Sequence, residues 1–271
     1  MKVLINWAEM LVKDTNMEQN EIIINENIIA GRNAVSEALR SGREIDRLLV
    51  VHGTTQGATS ALVAKAKQKG ILIKEVASQK LDFLCGDAVH QGIAVVIASH
   101  NYCEVDDILN FAKEKNQPPF IIICDEIEDP HNLGAIIRTA EAAGAHGIII
   151  PKRRSASLNA TVAKAASGAL EYMHVARVTN LVSVIEDLKK QGVWIYAADM
   201  DGESWCGTAL DGSLALVIGS EGQGVGTLVK KNCDAVISLP MMGEINSLNA
   251  SVAAGVLMYE VVRQRGKIRA V

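Results

Sequence analysis

From residue 120 onward the chain repeats one pattern: a short apolar run, a polar or glycine-bearing turn, then a stretch with helical spacing. Strands are predicted at 120–124, 147–150, 173–178, 194–198, 214–218 and 235–240. Helices are predicted at 133–143, 160–169, 182–190, 226–231 and 251–265. Runs such as Ile121-Ile122-Ile123 and Ile148-Ile149-Ile150 show no polar alternation, which is how strands buried on both faces of a parallel sheet read. Strands that alternate with helices imply a mostly parallel α/β sheet covered on both sides. Ligands of such sheets bind beyond the carboxyl ends of the strands, so the segments that follow each strand carry the search for function.

The earlier chain divides into three parts. Residues 1–20 form an irregular polar extension. Residues 21–100 form a smaller α/β module, with strands at 28–30, 47–51, 72–76 and 93–98 and helices at 34–40, 60–69 and 80–85. Residues 101–119 contain a helical stretch, 108–115, and end in Asn116-Gln117-Pro118-Pro119, which cannot continue a helix. We read 101–119 as a linker and 120–271 as the second domain. Aromatic residues make up only 4% of the chain, so Val, Ile, Leu and Ala must fill both cores.

Composition excludes more than it selects. The net charge of −4 gives no global pointer to nucleic acid, although Lys152-Arg153-Arg154 and the basic C-terminal stretch 263–269 are local candidates. The five cysteines are widely spaced and form no CxxC pair, so neither a zinc site nor a disulfide framework is expected. His131, His146 and His174 show no metal-ligand spacing, and no metal is expected. No apolar run approaches the roughly 18 residues of a membrane span, and the N-terminus lacks a signal-peptide pattern. A cytoplasmic, reducing setting is the expectation.

Three segments that follow strands carry unusual residues. After 120–124 comes Asp129-Pro130-His131-Asn132-Leu133-Gly134, with Arg138 further along an otherwise Ile- and Ala-rich helix. Asn132 reads as a natural N-cap, and Arg138 either snorkels to solvent or grips an anion over a cleft. After 214–218 comes Gly219-Ser220-Glu221-Gly222-Gln223-Gly224-Val225-Gly226. It is neither a P-loop nor G-x-G-x-x-G, and Glu221 either caps the next helix or meets a polar ligand. After 235–240, Asn246-Ser247-Leu248-Asn249 stands at the mouth of an apolar helix, as a cap or as a ligand site. Asp199-Met200-Asp201-Gly202 reads as an Asx-type turn.

Together these segments resemble the three motifs of the SpoU (TrmH-type, SPOUT class) RNA 2′-O-ribose methyltransferases. The residues concerned are Asn132-Leu133-Gly134 with Arg138; Ile218-Gly219-Ser220-Glu221-Gly222 with Gly224; and Leu239-Pro240-Met241 followed by Ser247-Leu248-Asn249-Ala250-Ser251-Val252-Ala253. Ala30-Gly31-Arg32-Asn33-Ala34-Val35 and His90-Gln91-Gly92-Ile93-Ala94 resemble the ribosomal-protein-like (L30e-like) RNA-binding domain of the family's 23S rRNA guanosine methyltransferases. The resemblance implies an α/β methyltransferase domain with a C-terminal trefoil knot, where the residues alone suggest an unknotted doubly wound sheet. It implies S-adenosylmethionine as cofactor, RNA (23S rRNA) as substrate, and a homodimer with the cofactor pocket at the subunit interface.

Residue by residue, the resemblance implies cofactor contacts at Ala198, Gly219, Gly222, Leu239, Met241 and Leu248. It implies a catalytic cluster of Asn132, Arg138, Glu221, Ser247 and Asn249. A guanidinium is a permanent cation, so we assign Arg138 as a clamp on phosphate or developing alkoxide rather than as a base. Glu221 would orient Asn132 or Arg138, and Ser247 and Asn249 would position the ribose. With so few aromatics, phosphate contacts are the expected source of RNA affinity, from Arg32, Arg153 and Arg154 among others. Methylation of tRNA or of another rRNA site, and RNA binding without turnover, are the competing readings.

Overall fold

The computed structural model describes residues 27–54 and 57–266; the extension at 1–20 lies outside them. The chain forms two compact units. The first holds the described residues up to His100 together with Leu158–Ala160, and the second holds Asn101–Ser157 and the described residues from Thr161 on.

The first unit contains β1 (Ile28–Ala30), α1 (Arg32–Arg40), β2 (Ile45–Val51), α2 (Ala58–Gln68), β3 (Leu72–Val76), α3 (Ser78–Cys85) and β4 (Ile93–Ile97). Its sheet has the order β1-β4-β2-β3, parallel only between β2 and β3. Side chains alternate across a strand, and here the alternation divides the core. Leu48, Val50, Ile93 and Val95 pack with Val35 and Leu39 of α1, whereas Leu49 and Ala94 pack with Leu81 and Leu84 of α3.

The second unit runs α4 (Val105–Glu114), β5 (Phe120–Cys124), α5 (Pro130–Ala142), β6 (Gly147–Pro151), α6 (Ala160–Ala166), β7 (Val175–Val178) and α7 (Leu181–Lys190), then β8 (Trp194–Ser204), β9 (Leu214–Ile218), α8 (Thr227–Asn232), β10 (Ala235–Ser238) and α9 (Ala250–Gln264). The six strands are all parallel, in the order β10-β8-β9-β5-β6-β7. Every residue of β5 and β9 is buried, which accounts for their unbroken apolar sequences.

Two elements differ from expectation. The segment read as a linker, 101–119, belongs to the second unit. Its helix α4 is amphipathic, and Ile108 and Leu109 join the core formed by Ile121, Ile149, Ile185 and Leu188. An apolar stripe of that kind has to be covered. Strand β8 also continues past Ala198, where a turn was expected. After a register shift, Glu203 and Ser204 pair with Ile237 and Ser238 of β10.

β10 lies at the edge of the sheet, yet the chain beyond it returns to the middle. Asn246, Ser247 and Leu248 line the same cleft as the loop after central β9, and α9 then packs on α5 and β9. The far end of α9 is fastened by Gln264 to the backbone of Thr208 and Leu210, and by Arg265 to the carbonyls of Pro118, Pro119 and Gly212. Glu260, buried on α9, accepts from Arg263 at 2.6 and 2.7 Å and from Gln264 at 2.7 Å.

Arg263 and Gln264 hold the Glu260 carboxyl below its ordinary range. A depressed carboxylate stabilises the fold above its unfolded pKa, and that contribution is lost as pH falls through the folded value. Glu260→Gln is therefore expected to lower the melting temperature by roughly 2–4 °C at pH 7, the equivalent of about 1 kcal/mol in a unit of this size. The difference from wild type should narrow as pH falls through the depressed folded pKa, where the wild-type carboxylate takes up its proton. Melting curves across pH check it, and a gap that does not narrow at all as pH falls below the ordinary carboxylate range would refute it.

Candidate active site

The site lies beyond the carboxyl ends of β9 and β5 and beside Ala198, Asp199 and Met200 within β8, three neighbouring strands in the middle of the sheet. Its floor is the loop after β9. Ser220 and Gly224 exchange backbone hydrogen bonds at 3.1 and 2.9 Å, which folds the loop back on itself. The fold brings the backbone of Gly224 against Gly219, where a Cβ would stand 2.0 Å from the Gly224 carbonyl carbon. Only glycine tolerates that approach.

Ala198, Gly219, Gly222, Leu239, Met241 and Leu248, which come from four separate segments of sequence, all line one cleft with Glu221 and Ser247. Its walls combine apolar side chains, such as Ile218 and Leu257, with exposed glycine backbone and the polar groups of Asp199, Asn246 and Ser247. That is the composition of a small-molecule site: apolar surface with a few directed polar groups.

Through Glu221, which lines the cleft, three side chains join in a closed hydrogen-bonded ring. Asn132 donates to Glu221 Oε1 at 2.9 Å, Asn249 donates to Asn132 Oδ1 at 2.9 Å, and Asn249 also donates to Glu221 Oε1. Asn249 is at the same time the N-cap of α9. Its Oδ1 accepts from the Ser251 and Val252 amides at 3.0 and 3.2 Å and from the Ser251 hydroxyl at 2.6 Å. Capping fixes the orientation of the amide, oxygen toward the helix and nitrogen toward the site, so the two roles open in the sequence are held by one residue.

Asn132 is not a cap. Pro130 opens α5 and Asp129 caps it, accepting from the His131 amide at 3.0 Å. Proline suits the first helical position because it has no amide to satisfy, and the earlier start releases the Asn132 side chain to the ring. Glu221 likewise caps nothing, since α8 begins at Gly226 without a side-chain cap.

Arg138 stands apart. It is exposed on α5, does not line the cleft, and donates to Ser167 Oγ at 3.4 Å. Ser247 lines the cleft without joining the ring. Arg154 is paired with Glu126 at 2.6 Å; Arg153 is exposed nearby, and Arg32 is exposed at the start of α1 in the other unit.

Two residues had no functional signal in the sequence. Asp199 lines the cleft and pairs with Lys230 at 2.9 Å; Lys230 also reaches Asp201 at 3.2 Å. Asp125, buried behind the loop, has its carboxyl pKa raised by that burial, against the lowering effect of the Gly226 amide. Cys124, beside it, is pushed up to about 12 by burial, so the thiol stays neutral and is no nucleophile. Among the described residues no group of three His, Cys, Asp or Glu side chains could hold a metal, and no helix is long and apolar enough to cross a membrane.

The profile of the SpoU rRNA Methylase family matches residues 119–259. The chain belongs to the SpoU rRNA methylase family. A second profile, RNA 2′-O ribose methyltransferase substrate binding, matches residues 28–103. YacO of Bacillus subtilis (strain 168), described provisionally as a TrmH family tRNA/rRNA methyltransferase, is 49% identical over 242 residues, covering 89% of this chain and 96% of its own. A TrmH family relative from Staphylococcus aureus (strain MSSA476) is 46% identical over 241 residues, 89% of this chain and 97% of its own.

Among solved structures, the SpoU methyltransferase AviRb of Streptomyces viridochromogenes, crystallised with AdoMet, shares the fold with a TM-score of 0.56 at 23% identity, over 89% of this chain and 90% of its own. The TrmH/SpoU tRNA modifying enzyme of A. aeolicus is 29% identical with a TM-score of 0.52, over 56% of this chain and 77% of its own. The SpoU match therefore embraces all three ring residues and the whole cleft.

Proposed function

We propose that this protein uses S-adenosylmethionine to methylate the 2′-hydroxyl of a ribose in RNA, with a guanosine of 23S rRNA as its target. The observation that carries the reading is the Asn132–Glu221–Asn249 ring, closed on a glutamate that lines a cleft floored by glycine backbone. The lining fits the cofactor: an adenosyl group suits apolar walls with backbone donors and acceptors, and the carboxylates of Asp199 and Glu221 suit a sulfonium cation. When bound, S-adenosylmethionine supplies a methyl group already activated for attack by oxygen.

The chain's own residues then have to deliver a ribose hydroxyl in line and stabilise the charge it develops. Ser247 and Asn249, adjoining the cleft, position the ribose. Glu221, with Oε1 taken by both asparagines, holds the ring rigid and orients Asn132. Arg138, a permanent cation, grips the substrate phosphate or the developing alkoxide, and the proton leaves to phosphate or water.

The unit containing α1, with the substrate-binding profile at 28–103, favours a large structured RNA. We further propose a homodimer, supported by Val252, Val256 and Tyr259, exposed apolar side chains along α9. We also propose that the return of the chain from β10 to the centre of the sheet threads a trefoil knot. Methylation of tRNA is the second reading, favoured by the likeness to the A. aeolicus tRNA modifying enzyme.

Calorimetry with S-adenosylmethionine should show saturable binding. Mapping of ribose methylation in rRNA and tRNA incubated with and without the protein should then reveal one new site in 23S rRNA. A new site in tRNA alone would move the target to the second reading. Cofactor binding without new methylation in either RNA would refute the proposed reaction.

A further inference from the structure

Asp125 is a buried carboxylate that the reaction does not use, and it is placed where the cleft's floor is fastened. The glycine loop leaves β9 at Ile218 and reaches α8 at Gly226. Asp125 meets both ends: its backbone amide donates to the Ile218 carbonyl at 2.8 Å, and its Oδ2 accepts from the Gly226 amide at 2.8 Å. The segment that begins with Asp125 also holds the loop's tip, since Asn132 donates to Glu221. Between the two, Glu126 adopts a left-handed φ of 59° and is paired with Arg154 at 2.6 Å. A non-glycine residue there costs energy that the surroundings must offset. The segment from β5 into α5 thus touches the loop at its start, tip and end.

The loop's end is also held by Val225, buried in the core of the unit, and by the Ser220–Gly224 backbone pair. Gly226 itself has no side chain, and α8, only Thr227–Asn232, has no side-chain cap, so the Gly226 amide depends on Asp125. With the Asp125 carboxylate removed, the Gly226 amide loses its acceptor, and the burial of Val225 alone holds the loop's end on that side. Residues Gly219–Gly224, which line the cleft, would then sample displaced forms that the ligand has to draw back, at the expense of affinity.

We propose that Asp125 is a positioning residue: it holds the glycine loop in its ligand-ready form before the cofactor arrives, through hydrogen-bond acceptance rather than through charge. The inference rests on the proposed cofactor. An amide oxygen in place of the carboxylate preserves the contact, which separates acceptance from charge.

The test compares wild type, Asp125→Ala, Asp125→Asn and Gly226→Ala by calorimetry with S-adenosylmethionine and by amide hydrogen exchange of the ligand-free protein. Gly226→Ala is included in case Asp125→Ala fails to fold. Its φ of −54° suits alanine, and the new Cβ would stand 3.1 Å from Asp125 Oδ2, displacing the carboxylate. Asp125→Ala should raise Kd at least 10-fold and raise KM for the cofactor similarly, with kcat at saturation reduced less than about 3-fold, because bound ligand re-forms the loop. The Gly226 amide should exchange faster in the free protein. Asp125→Asn should stay within about 3-fold of wild type in Kd, and Gly226→Ala should fall between the two.

An unchanged Kd and unchanged Gly226 exchange in Asp125→Ala, or in Gly226→Ala if the former does not fold, would overturn the proposal. So would Asp125→Asn losing as much affinity as Asp125→Ala. Absence of cofactor binding by wild type would instead refute the reading of the cleft, and the exchange data would still decide whether Asp125 anchors the loop.

Discussion

Replacing Arg138 with alanine is expected to lower kcat for ribose methylation by about 10²–10³-fold, the loss seen when one donor to a developing oxyanion is removed. The Kd for S-adenosylmethionine should stay within about 2-fold, because Arg138 does not line the cleft. Among the described residues its side chain has one hydrogen bond, to the neutral Ser167 hydroxyl at 3.4 Å, and no carboxylate partner. An exposed guanidinium left without an anion keeps its donor fork free for phosphate or alkoxide.

Ser167 itself sits at a φ of 50°, in the left-handed region, immediately before Gly168 at 88°. Strain of that kind concentrates at functional sites, and here it sets a hydroxyl beside Arg138. Arg138→Lys keeps the charge but loses the planar fork, so about a 10-fold or larger loss of kcat should remain. Single-turnover assays with the cofactor saturating separate this from RNA affinity. Near-full transfer by the lysine variant, with RNA binding unchanged, would refute the clamp.

How far the sequence discloses this site depends on whether a signal is local. β5 and β9 match their predicted bounds, because short unbroken apolar runs, bounded by turn residues and too short for a helix, fit strands buried on both faces. The start of α5 falls at Pro130, ahead of the predicted 133, because Asp129 is a competing cap and proline favours the first turn. That small shift decides whether Asn132 spends its side chain on its own helix or on Glu221, 89 positions away. The turn expected after Ala198 gives way to strand because β10 supplies a pairing partner that local propensity does not register. Within it the Met200 amide donates to Asp199 Oδ1 at 2.8 Å, one residue on and not the two-residue reach of an Asx turn.

Asp125 and Asp199 were legible only as polar residues near strand ends. What makes them matter is the loop each touches, and Gly226 is 101 positions from Asp125. The motif residues were recognisable through family resemblance, yet their arrangement as ring, floor and separate arginine is a property of the folded chain.

Gly219→Ala is the second large effect: it should raise the Kd for S-adenosylmethionine at least about 100-fold, close to 2.7 kcal/mol of binding free energy. The added Cβ would lie 2.0 Å from the Gly224 carbonyl carbon and 2.2 Å from both its oxygen and the Val225 nitrogen. All three are backbone atoms, so no side-chain rotation relieves the contact, and the loop has to open by breaking the Ser220–Gly224 hydrogen bonds. Overpacking of this kind costs about 1–3 kcal/mol even where the surroundings can adjust. Opening would also carry Glu221 away from Asn132 and Asn249, so residual methyl transfer at saturating cofactor should fall too. Gly243→Ala is the control: a Cβ there meets nothing within 4 Å, and Gly243 does not line the cleft. Its Kd should stay within about 2-fold of wild type. Calorimetry on both variants, with melting curves to confirm that the second unit is folded, decides the matter. Binding by Gly219→Ala within about 3-fold of wild type would mean that the loop is not held shut in solution, and the floor of the cleft would have to be sought elsewhere.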